Sequence, residues 1–264
     1  MSYPMYLVDA FIDQPFSGNP AGVCILDTDQ PASWMQNVAL EMNQAETAFV
    51  YKRADGGWDL RWFTPQVEVD LCGHATLAAA HALWQEAGEV NPVIHFHTRS
   101  GLLSATRKGD EIQLDFPSDQ PKTRELPTEL LQFLGKPPVW FGCGRDDLLL
   151  VLENASAVEN FAPDMDLISA ITERGLIITA PGDASSGLDM VSRFFAPQVG
   201  VPEDPVTGSA HCLLAVYWSY RLGKTTLRAR QASPRGGLLT LELQGERVLL
   251  SGATKTMLKG AFYG

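Results

Sequence analysis

Apolar positions along this chain follow two rhythms. Short stretches rich in Val, Ile, Leu and aromatic residues, bounded by Gly, Pro, Asn or Asp, fill both halves and read as strands. In the first half they are MYLVDAF, GVCILD, ETAFVYK, WDLRWF, VIHFHT, LLSATRK and EIQLDF; in the second they are VWFGC, LLLVLE, GLIITA, DMVSRFF, TLRARQ, LLTLELQ, RVLLSG and TKTMLKGAF. Two longer runs interrupt this rhythm, CGHATLAAAHALWQEAG and TGSAHCLLAVYWSYRLG. Neither contains Pro, and each is apolar nearly all round, so each is expected to be a helix enclosed by other elements rather than laid on a surface. The runs extend from Gly73 to Gly88 and from Gly208 to Gly223, equal lengths of about four turns closed by a left-handed glycine cap. Shorter helices are expected at Ala32–Met42, Thr128–Leu134 and 165–173. One enclosed helix among many short strands, twice over, calls for a curved or closed sheet wrapped around each helix.

The two halves also share words. RWFTPQVEV, beginning at Arg61, and RFFAPQVGV, beginning at Arg193, are identical at six of nine positions and lie half a chain length apart. Each precedes one of the two enclosed helices, which marks an internal duplication. The Pro-rich stretch from Pro117 to Pro127 is the expected linker.

A duplicated chain is expected to pack its halves about an approximate two-fold axis and to hold a ligand in the cleft between them, with both helix starts presented there. Each start carries partial positive charge and unpaired N–H groups, which suits a carboxylate. The polar residues at the two starts differ. Gly73 is followed by His74, whereas Gly208 is followed by Ser209 and preceded by Thr207 and Asp204. Thr207 or Ser209 could equally cap the helix, His74 could be a bonded first-turn residue, and Asp204 a loop acid. Glu46, in NQAETAFV, stands where a helical segment gives way to an apolar strand. A carboxylate entering such a strand needs a partner or a raised pKa, and can then give and take a proton near neutral pH. GNPAGV reads as a turn, with Asn19 either binding ligand or shaping that turn.

Composition narrows the ligand. With 45% hydrophobic residues, the 264-residue chain can bury a substantial core, and its net charge of −11, without a basic patch, excludes nucleic acid as an expected partner. No apolar run approaches the roughly 18 residues that span a bilayer, and MSYPMYLVDAF has no basic segment ahead of an apolar one, so a cytoplasmic protein without a membrane partner is expected. The four cysteines, Cys24, Cys72, Cys143 and Cys212, are widely spaced and read as reduced thiols. There is no GxSxG elbow, P-loop or dinucleotide GxGxxG. His95 and His97 share a strand face but lack a third ligand, and Cys72 with His74 is too small a set for zinc, so no metal is expected.

The assembled motifs, DAF, GNPAGV, NQAETAFV, RWFTPQVEVDLCGHAT and RFFAPQVGVPEDPVTGSAH, resemble the phenazine-biosynthesis-like (PhzF-like) family of the diaminopimelate-epimerase-like fold, over essentially the whole chain. The resemblance implies an α+β fold of two pseudo-symmetric domains, each a β-barrel around a central helix, assembled as a homodimer. It implies domains at 1–117 and 118–252, with a last strand at 253–264 returning to the first. For function it implies a cofactor-independent isomerase that moves a proton within a small carboxylate-bearing substrate. Glu46 would be the general acid/base, with His74 and Asp204 also in the catalytic set and Asn19, Gly73, Thr207, Gly208 and Ser209 binding substrate. Related epimerases and racemases of this fold use two opposed cysteines. Cys72 could serve as one, but DPVTGS offers no second thiol. A non-catalytic small-molecule binder is the third expectation.

Overall fold

The apolar runs of the first half form seven strands and two helices in a computed structural model that describes residues 2–183 and 185–264. The chain divides into two units, Met1–Asp115 with Ser251–Gly264, and Phe116–Leu250. In unit 1 the elements are β1 (Ser2–Ile12), β2 (Asn19–Leu26), α1 (Ala32–Met42), β3 (Glu46–Lys52), β4 (Trp58–Phe63), β5 (Glu68–Val69), α2 (Gly73–Gln85), β6 (Val93–Thr98), β7 (Gly101–Lys108) and β8 (Glu111–Pro117). Unit 2 continues with β9 (Lys122–Thr123), α3 (Thr128–Leu134), β10 (Trp140–Cys143), β11 (Asp147–Val151), α4 (Ala155–Glu159), α5 (Met165–Ile171), β12 (Gly175–Pro181), β13 (Met190–Phe195), α6 (Gly208–Leu222), β14 (Thr226–Gln231) and β15 (Gly237–Gln244). The final strand, β16 (Arg247–Tyr263), belongs to unit 2 up to Leu250 and to unit 1 from Ser251.

Unit 1 is a closed barrel. Its strands follow the order β1-β2-β3-β4-β6-β7-β8-β16, and β16 pairs back onto β1. Two neighbouring pairs, β2–β3 and β4–β6, are parallel. A parallel pair needs a crossover, and these crossovers carry α1 and α2. The all-apolar pattern of α2 has the consequence expected of it, since every residue from His74 to Trp84 is buried. α1 instead buries one stripe, Met35, Val38 and Ala39, against Tyr3, Met5, Phe49 and Phe63.

Unit 2 repeats the plan, with strands in the order β16-β15-β14-β13-β12-β11-β10-β9. Its parallel pairs are β11–β12 and β13–β14. The first crossover carries α4 and α5, which pack over Leu150, Leu176 and Ile178, and the second carries α6, whose buried residues include Ala210 to Ala215. The fold is α+β, with a sheet and one enclosed helix in each unit. No helix among the described residues is long and apolar enough to cross a membrane, and all four cysteines are free thiols.

Four local expectations change. The enclosed helices are unequal in regular length, 13 residues for α2 and 15 for α6. Gly88 still closes α2, at φ +72°, with the Glu89 N–H reaching back to the Leu83 carbonyl at 3.0 Å; the last turn is loosened, and Gly223 caps α6 directly at φ +64°. GNPAGV is not a turn: Ser17 organises the turn by accepting the Asp13 and Gln14 N–H groups, and Asn19 opens β2. α4 was not foreseen; Asn154 starts it by accepting the Ala157 N–H at 2.9 Å. RVLLSG and TKTMLKGAF are one strand, because Gly252 continues β16 past Phe11, whose ring leaves no room there for a Cβ.

Candidate functional site

Strand pairing in unit 1 assembles the first cluster. β2 runs parallel to β3 with Ala21 opposite Glu46, which places Asn19 and Glu46 at neighbouring strand starts. α1 delivers the chain to Glu46 by ending on Asn43 in the left-handed conformation, φ 48°. α2 begins at Gly73 and carries His74 as its second residue. The result is a compact cluster of polar groups in a largely buried region. His74 Nε2 lies 3.2 Å from Glu46 Oε2, with side-chain exposures of 6% and 19%. That is ion-pair distance, although Nε2 is not aligned as a hydrogen bond. At the other ring nitrogen, Nδ1 lies 3.2 Å from Asn19 Nδ2 and 3.6 Å from Cys72 Sγ.

This cluster fixes the chemistry of the imidazole. An amide nitrogen can only donate, so with Asn19 so oriented Nδ1 accepts, and the ring proton of neutral His74 sits on Nε2 facing Glu46. Burial opposes a second proton, but Cys72 and the Glu46 carboxylate outweigh it and raise the His74 pKa well above its ordinary value. Taking that proton requires the Asn19 amide to turn its oxygen toward Nδ1. Cys72 behaves oppositely. Burial, followed by the Glu46 charge, pushes its pKa up, so the thiol keeps its proton. Glu46, Cys72 and His74 offer donor atoms all within 4.8 Å of one another. Cys72 and Glu46 face different nitrogens of one ring, and their own donor atoms also lie within 4.8 Å of each other, so the three close into a compact triangle.

The start of α6 in unit 2 holds a different set. Thr207 precedes the helix but does not cap it with its side chain. Its hydroxyl donates instead to Asp204 Oδ2 at 2.5 Å. Gln231, fully buried at the end of β14, ties this loop together: its oxygen accepts the Thr207 N–H at 2.9 Å, and its amide donates to the Asp204 carbonyl at 2.7 Å and the Thr207 hydroxyl at 3.1 Å. Gly208 opens the helix, buried. Ser209 follows, and its Oγ accepts from both terminal nitrogens of Arg174 at 3.3 Å. Arg174 is in turn gripped by Asp147 through Nε at 2.8 Å and through a second, shorter contact from Nη2. Burial raises the Asp147 pKa to about 6 against the opposing pull of Arg174. One turn into α6, His211 Nδ1 bonds the Thr207 carbonyl at 2.7 Å, and burial drives its pKa down to about 4.

The sequence-predicted residues therefore fall into two clusters. Asn19, Glu46, Gly73 and His74 come together in unit 1, and Asp204, Thr207, Gly208 and Ser209 adjoin one another in unit 2. Gln231, Arg174 and Asp147 were missed. No local signal marks them, because Arg174 meets Asp147 only through the β11–β12 pairing, in which Asp147 stands opposite Gly175. His95 and His97 line a separate groove of about 670 Å³ in unit 1 with Asp55, Trp58 and Glu89. That groove contains none of the clustered residues.

Comparison with known proteins places these clusters in context. The profile of the phenazine biosynthesis-like protein family matches residues 8–260. A curated relative described as an uncharacterized isomerase of Halalkalibacterium halodurans is 48% identical over 261 residues, covering 98% of each chain. The crystal structure of a PhzF-family phenazine biosynthesis protein from Enterococcus faecalis superposes with a TM-score of 0.94 at 44% identity, covering all of both chains. A hydroxyproline epimerase from Agrobacterium vitis shares the fold at a TM-score of 0.65 and 12% identity, over 98% of this chain and 92% of that one.

Proposed function

The chain belongs to the phenazine biosynthesis-like (PhzF) family, and from that premise we propose that it moves a proton within a small carboxylate-bearing substrate, with Glu46 as the general acid/base. It is an isomerase, as its curated relatives are described. One observation carries the choice of Glu46: it is the most exposed member of an otherwise buried cluster, Cys72, His74 and Glu46, so the carboxylate can meet a substrate more readily than the imidazole or the thiol. Glu46 takes a proton from a substrate carbon, the electron pair moves into the adjoining conjugated system, and the same carboxylic acid returns the proton to another carbon. No cofactor is needed, because one group both accepts and supplies the proton. His74 holds a proton against Glu46 on Nε2 and steadies its charge. Asp204 is the second carboxylate of the proposed catalytic set, and Asn19, Gly73, Thr207, Gly208 and Ser209 are proposed to bind the substrate.

A two-thiol epimerase is less well supported. Cys72 keeps its proton, and the residue that matches it before α6 is Thr207 rather than a second thiol. Cys212, further along α6, is buried with its pKa pushed up to about 12. The test is a mass-spectrometric survey of small carboxylate metabolites incubated with the protein in D2O. Wild type is expected to introduce deuterium into at least one of them, and Glu46→Gln to slow this about a hundred- to ten-thousand-fold. Exchange by Glu46→Gln at the wild-type rate would remove Glu46 from the mechanism, and binding with no exchange by either protein would favour a non-catalytic binder.

A further inference from the structure

We propose that Arg174, clamped by Asp147, is a positioning residue that turns the Ser209 hydroxyl into an obligate hydrogen-bond donor toward a substrate carboxylate. The inference rests on the reading that Ser209 binds such a group.

The argument begins with donor count. A guanidinium has only N–H donors and no acceptor. Both Nη1 and Nη2 of Arg174 lie 3.3 Å from Ser209 Oγ, so the serine oxygen accepts from the arginine and cannot donate to it. Ser209 Oγ donates to no group among the described residues. Its single O–H proton is therefore directed away from Arg174 and left for an incoming acceptor. A free serine hydroxyl serves an acceptor or a donor equally well. One held in this way only donates, and its bond to a charged carboxylate oxygen is stronger than its bond to the neutral carbonyl oxygen of an amide.

The clamp explains why Arg174 can hold this pose. Asp147 is the first residue of β11, with its side chain 4% exposed, and it grips Nε and Nη2 side by side. A two-point grip fixes the plane of the guanidinium, which a single contact would not. The Phe194 ring, 5.8 Å from the guanidinium carbon, flanks it. With Asp147 neutralising the charge, Arg174 acts on the ligand mainly through the orientation of Ser209 rather than as a free cation.

The experiment titrates folded wild type, Ser209→Ala, Arg174→Lys and the double variant Arg174→Met/Asp147→Asn with benzoate and other small carboxylates, each beside its own carboxamide, by calorimetry and NMR. The double variant removes both members of the buried pair, so no lone charge is left to unfold the protein. Wild type is expected to prefer carboxylate over carboxamide. Ser209→Ala and the double variant should each lose about tenfold of that preference, and adding Ser209→Ala to the double variant should cost nothing further. Arg174→Lys keeps the charge beside Asp147 but not the two-nitrogen fork, and should keep folding stability while losing the preference. If Ser209→Ala loses the preference while the double variant keeps it, the positioning role is overturned and the reading of Ser209 stands. If wild type has no preference for any carboxylate, or Ser209→Ala keeps it, the underlying reading fails.

Discussion

Two histidines buried near the starts of equivalent helices have opposite fates. His74, in α2, has its pKa driven up; His211, in α6, has its pKa driven down to about 4. Both lie where the positive end of a helix disfavours an imidazolium. The difference is the neighbour. His74 has Cys72 at one ring nitrogen and the Glu46 carboxylate at the other, both raising its pKa, whereas His211 bonds the Thr207 carbonyl and lies 3.5 Å from the Ser192 hydroxyl, neither of which carries charge. With Gly73 and Gly208 aligned, His211 occupies the place of Thr76, and both side chains tie back to the carbonyl four residues earlier, Thr76 to Cys72 at 2.5 Å and His211 to Thr207 at 2.7 Å. His211 is thus a helix-start fastener, while His74 stands at the position that the other half gives to Ser209. Duplication supplied the fastening twice and the acid-paired imidazole once.

The contrast breaks most severely at Glu46. Glu46→Gln removes the carboxylate from His74 while Cys72 stays, so NMR titration of the imidazole should show the His74 pKa lowered from its wild-type position, alongside the loss of proton exchange. A His74 pKa unchanged by Glu46→Gln would mean that Glu46 has no part in the difference, leaving it to Cys72.

Next in size is a pair of opposed pH effects within unit 2. The folded pKa of His211 is lowered from 6.5 to about 4, so the stability it contributes is complete above pH 6.5 and is lost as pH falls through that window, about 3 kcal/mol in all. The folded pKa of Asp147 is raised from 3.8 to about 6, so its contribution is complete below pH 3.8 and is lost as pH rises through about 6, again about 3 kcal/mol. Between about pH 4 and 6 the two offset each other. The double variant Arg174→Met/Asp147→Asn should expose the His211 slope, and denaturant unfolding across pH 4 to 7 should show stability falling more steeply on acidification than in wild type. Parallel profiles would remove one of the two effects.

Gln231→Leu should cost about 2 kcal/mol, because the Thr207 N–H and the Asp204 carbonyl lose their shared partner. Unfolding of this variant by urea measures it, and a loss below about 0.5 kcal/mol would mean that the loop before α6 holds itself. The smallest effect belongs to Cys72→Ala, which should keep exchange activity within a few-fold of wild type, since a thiol that holds its proton is no base. Abolished activity in a folded Cys72→Ala variant would revive the thiol mechanism.

Features written in consecutive residues were legible in the sequence. The all-apolar runs became the enclosed helices, and Glu46 stands at the junction of helical segment and strand because Asn43 ends α1 just before it. Features made by register were not. Gln231 reaches Thr207 and Asp204 from β14, and Arg174 reaches Asp147 across a parallel strand pair; neither residue type nor local spacing announces such a meeting. Gly252 misled for a related reason. A glycine in RVLLSGATK reads as a break, but its lack of a side chain serves the passage of β16 past Phe11.

β16 also imposes an order on biosynthesis. Unit 1 closes only through Ser251–Gly264, which the ribosome makes after all of unit 2. Until then β1 and β8 are bare edges, open to pairing with other chains, and the longest wait falls on the half that carries Glu46 and His74. Unit 2, whose residues are continuous in the chain, can gather its contacts first, so a nascent chain stopped near Leu250 would hold a largely complete second half and an unsealed first one.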